Sequence, residues 1–264
     1  GFLKLIEISK KITTNVGRTN AQFGLIKEND RIMIGFSGGK DSLTLLHTLN
    51  RMQKKAPFKF DFKAVTITYG MGEQIEFLSN HCKEHGIEHE IIDTQIFDLA
   101  GEKIRKNSSF CSFFSRMRRG YLYTTALEQG YNKVALGHHL DDAMESYFMN
   151  LFYNGTMRTM PPIYKASNGL EVIRPLIFCR ERQLRAFADS NEIRVIGDEA
   201  CPGLRFDVKM PHARATTKEL LAKLEEQNPK IFVSMKAAFS NIQLPTFFYK
   251  DLKDIKLNIE DETI

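Results

Sequence analysis

The sequence has little of what marks the special classes of protein. Its 264 residues include four cysteines, eight prolines and seventeen glycines, and they contain no low-complexity tract. Four scattered cysteines are too few for a disulfide scaffold, and the modest proline and glycine content excludes collagen-like and linker proteins. With 42% hydrophobic residues, the chain is expected to fold around a sizeable core and to keep its thiols reduced, in the cytoplasm.

Long apolar runs are also lacking. No segment approaches the ~18 uninterrupted apolar residues of a membrane helix, so no membrane partner is expected. Near the N-terminus, Leu5, Ile8, Ile12 and Val16 recur at helical spacing between charged residues. This pattern predicts an amphipathic helix rather than a signal peptide.

What the sequence does contain is a regular change of hydrophobic period. Apolar runs alternate with segments of helical spacing, which is typical of a parallel sheet whose strands are joined by helices. The expected strands span residues 31–36, 62–68, 90–93, 133–136, 172–176 and 193–196. A long basic connection is expected over residues 96–110, and Thr216 with Glu219 predicts a capping box at the start of a C-terminal helix.

The first functional motif lies between the first predicted strand and a predicted helix. Glycines allow the backbone to approach an anion, and the start of a helix offers free N–H groups and the positive end of the helix dipole. The motif matches neither the Walker spacing nor the dinucleotide fingerprint. Its six residues, which we expect to bind phosphate, are Ser37, Gly38, Gly39, Lys40, Asp41 and Ser42.

A second motif, residues 137–142, follows the fourth predicted strand. His138 and Asp142 lie four residues apart, as do Asp141 and Glu145, so each pair can share a helix face at the carboxyl edge of the sheet. Carboxylates at that edge can hold Mg²⁺ against phosphate oxygens. In isolation the motif would be an acidic first helical turn, but its place after a phosphate loop favours a metal site at Asp141 and Asp142.

These motifs resemble those of a known superfamily. The hexapeptide matches the pyrophosphate loop of N-type ATP pyrophosphatases, and residues 137–142 resemble the second motif of its tRNA-modifying members. Further segments are similar to the tRNA 2-thiocytidine synthetase family, over about residues 5 to 205. They are residues 111–120, 150–155, 160–162, 173–176 and 179–181.

The resemblance implies a fold and an activity. The fold would be a doubly wound parallel α/β sheet of adenine nucleotide α-hydrolase type. A helical extension (residues 1–26) would precede the pyrophosphatase domain (residues 27–205), and C-terminal helices and a tail (residues 206–264) would follow. ATP would activate the 2-oxygen of an anticodon-loop cytidine as an adenylate, and sulfur would replace that oxygen. Thr66, with its neighbours Val65 and Ile67, would border the adenine, and Gly137 would close over the nucleotide.

The same resemblance implies partners and cofactors. They are tRNA, ATP, Mg²⁺, a sulfur donor such as a cysteine desulfurase, a homodimer partner and a [4Fe–4S] cluster. Family members hold that cluster with a Cys-x-x-Cys and a distant third cysteine. Here Cys111 matches the first and Cys201 the third, but Phe114 stands in place of the second.

This gap leaves several alternatives. Cys179 is a poor replacement ligand, because the cysteine at that position in the family does not bind the cluster. An incomplete cluster or a ligand other than cysteine is another interpretation. Otherwise Cys111 and Cys201 form a cluster-free pair, one carrying a persulfide and the other resolving it. The arginines and the helix start near Cys111 would favour its thiolate form.

Candidate RNA ligands follow Cys111. The net charge of +5 is compatible with nucleic acid without identifying one. Arg116, Arg118 and Arg119 occupy one predicted helix among aromatic residues, a mixture able to bind phosphates and stack a base. A charge cluster is usually only a solvated surface, and the RNA interpretation depends on the family resemblance.

Three other hypotheses fit parts of the sequence. The chain could adenylate a different base or small molecule, or it could be a degenerate ATP- and RNA-binding protein without sulfur transfer. The intact motifs, residues 37–42 with Asp141 and Asp142, argue against the second of these. Finally, His81, Cys82, His85 and His89 suggest a metal cluster, but they match no zinc spacing and Gly86 ends the helix before His89, so no metal is predicted there.

Overall fold

The computed structural model describes residues 4–103, 110–197, 200, 202, 212–248 and 250–251. Its strands are β1 (Arg31–Gly35), β2 (Asp61–Ile67), β3 (His89–Ile92), β4 (Lys133–Ala135), β5 (Ile163–Lys165) and β6 (Glu171–Ile173). Its α-helices are α1 (Lys10–Phe23), α2 (Lys40–Lys55), α3 (Glu76–Glu84), α4 (Ile96–Lys103), α5 (Phe110–Glu128), α6 (Leu140–Tyr153), α7 (Glu181–Ser190), α8 (His212–Gln227) and α9 (Ile231–Ala238). A 3₁₀ turn spans Leu244–Thr246.

The strands form one six-stranded sheet in the order β3-β2-β1-β4-β6-β5. All neighbours are parallel except the edge pair β5 and β6. The predicted doubly wound parallel sheet is thus confirmed, with one antiparallel edge strand that the sequence analysis did not predict. In this order β1 lies between β2 and β4, so the loops after β1 and β4 emerge side by side.

The central strand explains why both faces of the sheet are covered. Ile32 and Ile34 of β1 lie in one core layer with α2, α3 and α7, whereas Met33 lies in the opposite layer with α4 and α5. Side chains alternate between the faces of a strand, so a continuously apolar strand needs helices on both sides. Phe114 of α5 is part of the second layer and is only 1% exposed.

The predicted N-terminal helix is present as α1. Ser9 caps its start by accepting a hydrogen bond from the Ile12 backbone N–H, and Gly24 ends it in the left-handed conformation. Ile12 and Val16 are buried in the same core layer as β1. This helix therefore packs as an integral layer of the α/β unit.

A buried ion pair joins the segment after α1 to the sheet. Lys133 Nζ on β4 lies 2.8 Å from Asp30 Oδ2 and donates to the Leu25 carbonyl at 2.6 Å. The Asp30 carboxylate also accepts from the Lys27 N–H and the Asn132 amide. Burial alone would raise the pKa of Asp30, but these hydrogen bonds outweigh it, and the pKa is lowered.

The C-terminal helices pack on α6. Leu221 of α8 and Phe232 of α9 form a small core with Leu140 and Met144. Helix α8 ends at Gln227, immediately before Asn228 and Pro229. Its start is different from the prediction, because α8 begins at His212 and Thr216 lies inside the helix rather than capping it.

Two further expectations are wrong. Residues 193–196 are not a strand: this apolar segment packs beside the first motif, where the Ile196 N–H donates to the Gly38 carbonyl at 2.9 Å. The connection expected over residues 96–110 contains helix α4, followed by residues 104–109 outside the described range. In the described part of the chain, no helix is both long and apolar enough to span a bilayer.

Candidate active site

The first motif forms the turn from β1 into α2. Gly38 has a φ of +82°, and a Cβ there would lie 2.8 Å from side-chain carbons of Leu78 and Ile196. Both its backbone conformation and its close neighbours therefore require glycine. Gly39 caps α2 through its extended backbone, without a side-chain hydrogen bond to the first helical turn. The N–H groups of that turn are consequently available to an anion.

Ser42 holds the turn closed from inside the helix. Its Oγ accepts hydrogen bonds from the Ser37 N–H at 3.2 Å and the Gly38 N–H at 3.1 Å. The same hydroxyl donates to the Gly39 carbonyl. One buried side chain thus fixes the backbone of three loop residues.

The second motif meets the first one directly. Gly137 follows β4, and a Cβ at this position would lie 3.1 Å from the Asp41 carbonyl carbon and 3.2 Å from the Ser42 nitrogen. Glycine therefore lets the two loops approach backbone to backbone. The structure places Gly137 against the first turn of α2.

His139, and not His138, is the histidine paired with Asp142. His139 is the N-cap of α6: its Nδ1 accepts from the Asp142 N–H, and Asp142 accepts from the His139 N–H. His138 precedes the helix, so it does not share a helix face with Asp142. Its half-buried ring instead accepts a hydrogen bond from the guanidinium of Arg174 at 3.1 Å, and desolvation lowers its pKa well below the ordinary range.

Asp41, His139 and Asp142 form a compact cluster between the loops. His139 Nε2 lies 3.5 Å from Asp41 Oδ2 and 3.3 Å from Asp142 Oδ2, and the three ligand atoms lie within 4.8 Å of one another. Asp41 Oδ1 is buried, and within the described residues it accepts no hydrogen bond. Its contact there is the ion pair with Lys40 Nζ at 3.3 Å. Two carboxylates, one with a buried oxygen of unused capacity, fit a divalent cation such as Mg²⁺.

The three residues of this cluster have pKa values shifted in different directions. Burial lowers the pKa of His139, but the hydrogen bond to Asp41 and the charges of Asp142 and Asp41 outweigh it and raise the pKa. Burial raises the pKa of Asp41, yet His139 and Lys40 bring it below its usual value. The pKa of Asp142 stays raised by burial, despite the nearby charge of His139. A bound cation would therefore supply the positive charge that stabilises the ionised form of Asp142.

Asp141 has a different environment from its neighbour. Its carboxylate accepts two parallel hydrogen bonds from Arg180, at 3.1 Å each, and a third from the Glu181 N–H at 2.7 Å. The predicted metal pair Asp141 and Asp142 is therefore divided: Asp142 lies in the cluster with Asp41, whereas Asp141 binds the start of α7.

Three charged residues of the site were missed. Glu181 Oε1 lies 3.3 Å from Lys40 Nζ and so orients the loop lysine. Arg180 connects Asp141 to Glu225 of α8. Arg214 of α8 contacts Glu145 at 3.4 Å and Asp142 at 3.8 Å. Arg180 and Glu181 belong to the segment 179–181 that carries the family resemblance, but no role was predicted for them. Arg214 gave no local signal, because tertiary packing brings α8 to the site.

The expected adenine wall lies at the end of β2. Val65 and Ile67 are buried in the core. Between them, the Thr66 hydroxyl donates to the Phe36 carbonyl at 2.6 Å and contacts His89 Nε2 at 2.8 Å. Thr66 of β2 thus holds the end of β1, from which the phosphate loop continues.

The cysteines separate into two groups. Cys82 and Cys179 are free thiols buried in the core layer of α2, and burial raises the pKa of each to about 12. Such thiols are poor nucleophiles and metal ligands. Two other cysteines remain for chemistry. Cys111 lies at the start of α5 and its side chain is outside the described atoms; Cys201 lies outside the described residues.

The position expected for a second cluster cysteine is part of the core. Phe114 is buried and packs edge-to-face on Tyr69 at 5.6 Å between ring centres. Cys179 lies in the opposite core layer, so it cannot replace a ligand near Phe114. With Cys82 also buried in that layer, the chain does not fit a cluster held by three cysteines.

The three predicted RNA-binding arginines lie on α5 in different environments. Arg116 is exposed. Arg118 stacks over the ring of Tyr69 at 4.8 Å and donates to its hydroxyl. The charge of Arg119 contributes to the lowered pKa of His138, which places it on the side of the second motif. Arg116 is therefore open to solvent, whereas Arg118 is held by Tyr69.

Comparisons with known proteins agree with this geometry. A family model for the PP-loop domain matches residues 8–209. A tRNA-cytidine(32) 2-sulfurtransferase of Geobacter metallireducens is 44% identical over 237 residues, which cover 89% of this chain and 90% of the relative. The enzyme of the same name from Pseudomonas syringae is 37% identical and covers 97% and 93% of the two chains.

A solved structure resembles the fold. The U34-tRNA thiolase NcsA from Methanococcus maripaludis, determined with its [4Fe–4S] cluster, superposes with a TM-score of 0.70. It is 24% identical in sequence, and the match covers 88% of this chain and 77% of that one. At this identity the likeness supports the shared fold.

Proposed function

Since the chain belongs to the PP-loop family of tRNA-cytidine(32) 2-sulfurtransferases, we propose that it uses ATP to replace the 2-oxygen of that anticodon-loop cytidine with sulfur. The observation that carries the proposal is the contact between the two motif loops. They bring a phosphate-binding helix start and a pair of carboxylates to one edge of the sheet. Ligands of open α/β sheets bind at this edge.

The first half-reaction is adenylation. The cytidine oxygen attacks the α-phosphorus of ATP, the bond to the bridging oxygen breaks, and pyrophosphate leaves. The free N–H groups of the first turn of α2 and the Lys40 ammonium would bind the phosphates, with Glu181 holding Lys40 in place. Asp41 and Asp142 would hold Mg²⁺, which supplies positive charge to the departing pyrophosphate. His139 positions both carboxylates.

The second half-reaction is sulfur transfer, for which we assign Cys111 and Cys201. A persulfide on one cysteine, loaded by a sulfur donor such as a cysteine desulfurase, attacks C2 of the activated cytidine, and AMP leaves. The other thiolate then attacks the sulfur of the first cysteine. This breaks its bond to the transferred sulfur, releases 2-thiocytidine and leaves a disulfide. A dithiol reductant supplies the two electrons that restore both thiols.

This route needs two cysteines and no cluster. It accounts for Phe114, because a buried aromatic residue at that position removes a cluster ligand without touching the PP-loop. It also explains why Cys82 and Cys179 would be spectators: both thiols are buried, and their pKa is about 12. Arg116, Arg118 and Arg119 would bind the tRNA backbone beside Cys111. A homodimer stays a prediction.

The test separates the two half-reactions. Cys111→Ser and Cys201→Ser should each abolish 2-thiocytidine formation, measured by nucleoside mass spectrometry, while tRNA-dependent pyrophosphate release continues. Cys179→Ser is the matched control and should retain both activities. Loss of pyrophosphate release in the two variants, or thiolation by either of them, would contradict the assigned relay. Unchanged 2-thiocytidine in cells that lack the gene would overturn the substrate itself.

A further inference from the structure

Three histidines converge on the face of the molecule between α2 and α3. His47 Nε2 lies 2.7 Å from His81 Nε2, and the ring centres of His81 and His85 both lie within 5.0 Å of that of His47. One nitrogen from each ring lies within 4.8 Å of the others. The cluster is separate from the nucleotide loops, which lie at the start of α2.

The cluster is not the one that the sequence suggested. Cys82 is buried in the core, and His89 bonds Thr66 and Ser79 through its two nitrogens. The third imidazole is His47, supplied by a different helix. His81 and His85 lie one turn apart on α3, a spacing that places two rings on one helix face.

The donor set suits a borderline transition-metal ion. Zinc takes imidazole nitrogens at 2.0–2.1 Å in a tetrahedral arrangement, which separates neighbouring ligand nitrogens by about 3.3 Å. The observed separations, 2.7 Å between His47 and His81 and at most 4.8 Å within the cluster, bracket that spacing. His47 is only 3% exposed, whereas His81 and His85 are partly open to solvent. An ion could therefore enter from the α3 side and keep a water molecule as its fourth ligand.

The surroundings support ligand chemistry. Burial is the main cause that lowers the pKa of all three histidines, and that of His47 falls to about 3. Burial therefore favours the neutral imidazole, which is the form that binds metal. Within the described residues, the ring of His85 has no hydrogen-bond partner. Among the described residues, the hydrogen bond between His47 and His81 therefore leaves the ring nitrogens of His85 available to a metal ion.

We propose that His47, His81 and His85 form a binding site for Zn²⁺ or a similar divalent transition metal, which joins α2 to α3. The site does not depend on the proposed thiolation. It would have a mechanical consequence for the phosphate loop, because Leu78 of α3, one turn before His81, packs against Gly38. The metal would fix the helix that forms one wall of that loop.

The test uses the full chain with Cys111→Ser and Cys201→Ser, so that these thiols do not bind the probe, and with excess Mg²⁺ to occupy the carboxylates. Metal-free protein is titrated with Co²⁺, followed by its visible spectrum, and with Zn²⁺, followed by calorimetry. We expect one equivalent of tetrahedral Co²⁺ without thiolate bands. Zn²⁺ should also raise the melting temperature.

Two single substitutions decide the assignment. His85→Gln changes a partly exposed residue and should weaken Zn²⁺ binding at least about 100-fold, since even outer-shell partners are worth 10–100-fold. His212→Gln, on α8, is the matched control and should bind like the parent. Circular dichroism verifies folding, and His81→Gln serves if His85→Gln unfolds. Absence of a bound equivalent, or equal affinity in parent and cluster variants, would overturn the proposal.

Discussion

At the scale of single residues, burial and the nearby charge of His139 balance differently at two carboxyl groups. Asp41 lies between His139 and Lys40, and its pKa is lowered. Asp142 is more deeply buried, and its pKa is raised although the same histidine is close. The cluster therefore holds one secure negative charge and one that burial disfavours. A cation bound between them would stabilise both carboxylates.

The first prediction concerns this pair. Asp142→Asn preserves the size of the side chain but removes its charge, so tRNA-dependent pyrophosphate release should fall by about 10²–10³, a range typical of one lost transition-state contact. A discontinuous assay of labelled pyrophosphate measures it. Asp189→Asn, an exposed change on α7, is the control. A rate within twofold of wild type would remove Asp142 from the site.

The sequence predicted most site residues but not their contacts. The loop from Ser37 to Ser42 could be located because glycines follow an apolar run. The exchange of His138 for His139 as partner of Asp142 could not, because it depends on the residue at which α6 begins. His47 was missed for another reason: its partners lie 34 and 38 residues further along the chain, and only packing of α2 on α3 joins them.

At the scale of elements, the turn into α2 needs glycine at position 38 but tolerates a side chain at position 39. Gly38→Ala should lower the free energy of unfolding by about 2 kcal/mol, because it combines a positive φ with contacts of 2.8 Å. Gly39 has a φ of −74°, and a Cβ there would lie 3.5 Å from the nearest atom. Gly39→Ala should therefore change the free energy of unfolding by less than about 0.5 kcal/mol. Urea unfolding compares them. Equal losses would mean that the strain argument is wrong.

The junction between α1 and the sheet predicts a pH effect. Because the pKa of Asp30 is lower in the folded protein than its ordinary value of about 3.9, its carboxylate stabilises the fold above that value. This stabilisation is lost as the pH falls through the folded pKa. Asp30→Asn should cost about 3 kcal/mol at pH 7, the low end for a broken buried pair, because Glu171 still contacts Lys133.

Denaturant unfolding from pH 7 to pH 2 measures this effect. The difference in stability between wild type and Asp30→Asn should shrink on the acid side. Asp61→Asn, an exposed change at the start of β2, should show no such convergence. Parallel stability curves for wild type and Asp30→Asn would show that the ion pair is not the cause.

Element boundaries were harder to predict than element types. Strands β1 to β4 were predicted within one residue at each end, because buried parallel strands give continuous apolar runs. Strand β6 was also predicted, but it ends three residues earlier than expected. Strand β5 has three residues at an exposed edge and gives no such run. Residues 193–196 are apolar apart from Arg194, but they form no strand, and Ile196 packs beside Gly38 instead.

At the scale of the whole molecule, Arg180 fastens the C-terminal helices to the α/β unit. Its guanidinium donates to Asp141 of α6 and Glu225 of α8, and it lies 3.5 Å above the ring of Phe232 of α9. Arg180→Lys keeps the charge but loses the planar fork. Amide hydrogen exchange in α8 should accelerate at least about 10-fold, corresponding to about 1.4 kcal/mol.

Arg182→Ala is the control for this change. Arg182 also contacts Glu225, at 3.5 Å, but its side chain is 70% exposed. An exposed ion pair contributes little, so exchange in α8 should stay within about twofold of wild type. If both variants exchange alike, docking depends on the apolar core of α6, α8 and α9 rather than on Arg180.

The direct pairing of β1 with β4 has a consequence for how such proteins diverge. The spacing between the two motif loops is set by one row of backbone hydrogen bonds, from Ile32 beside Lys133 to Ile34 beside Ala135. It is not set by the long segment of chain that joins the strands. Insertions or replacements in that segment would leave Asp41 facing Asp142. Evolution can therefore rebuild the parts that select a substrate while the ATP chemistry stays unchanged.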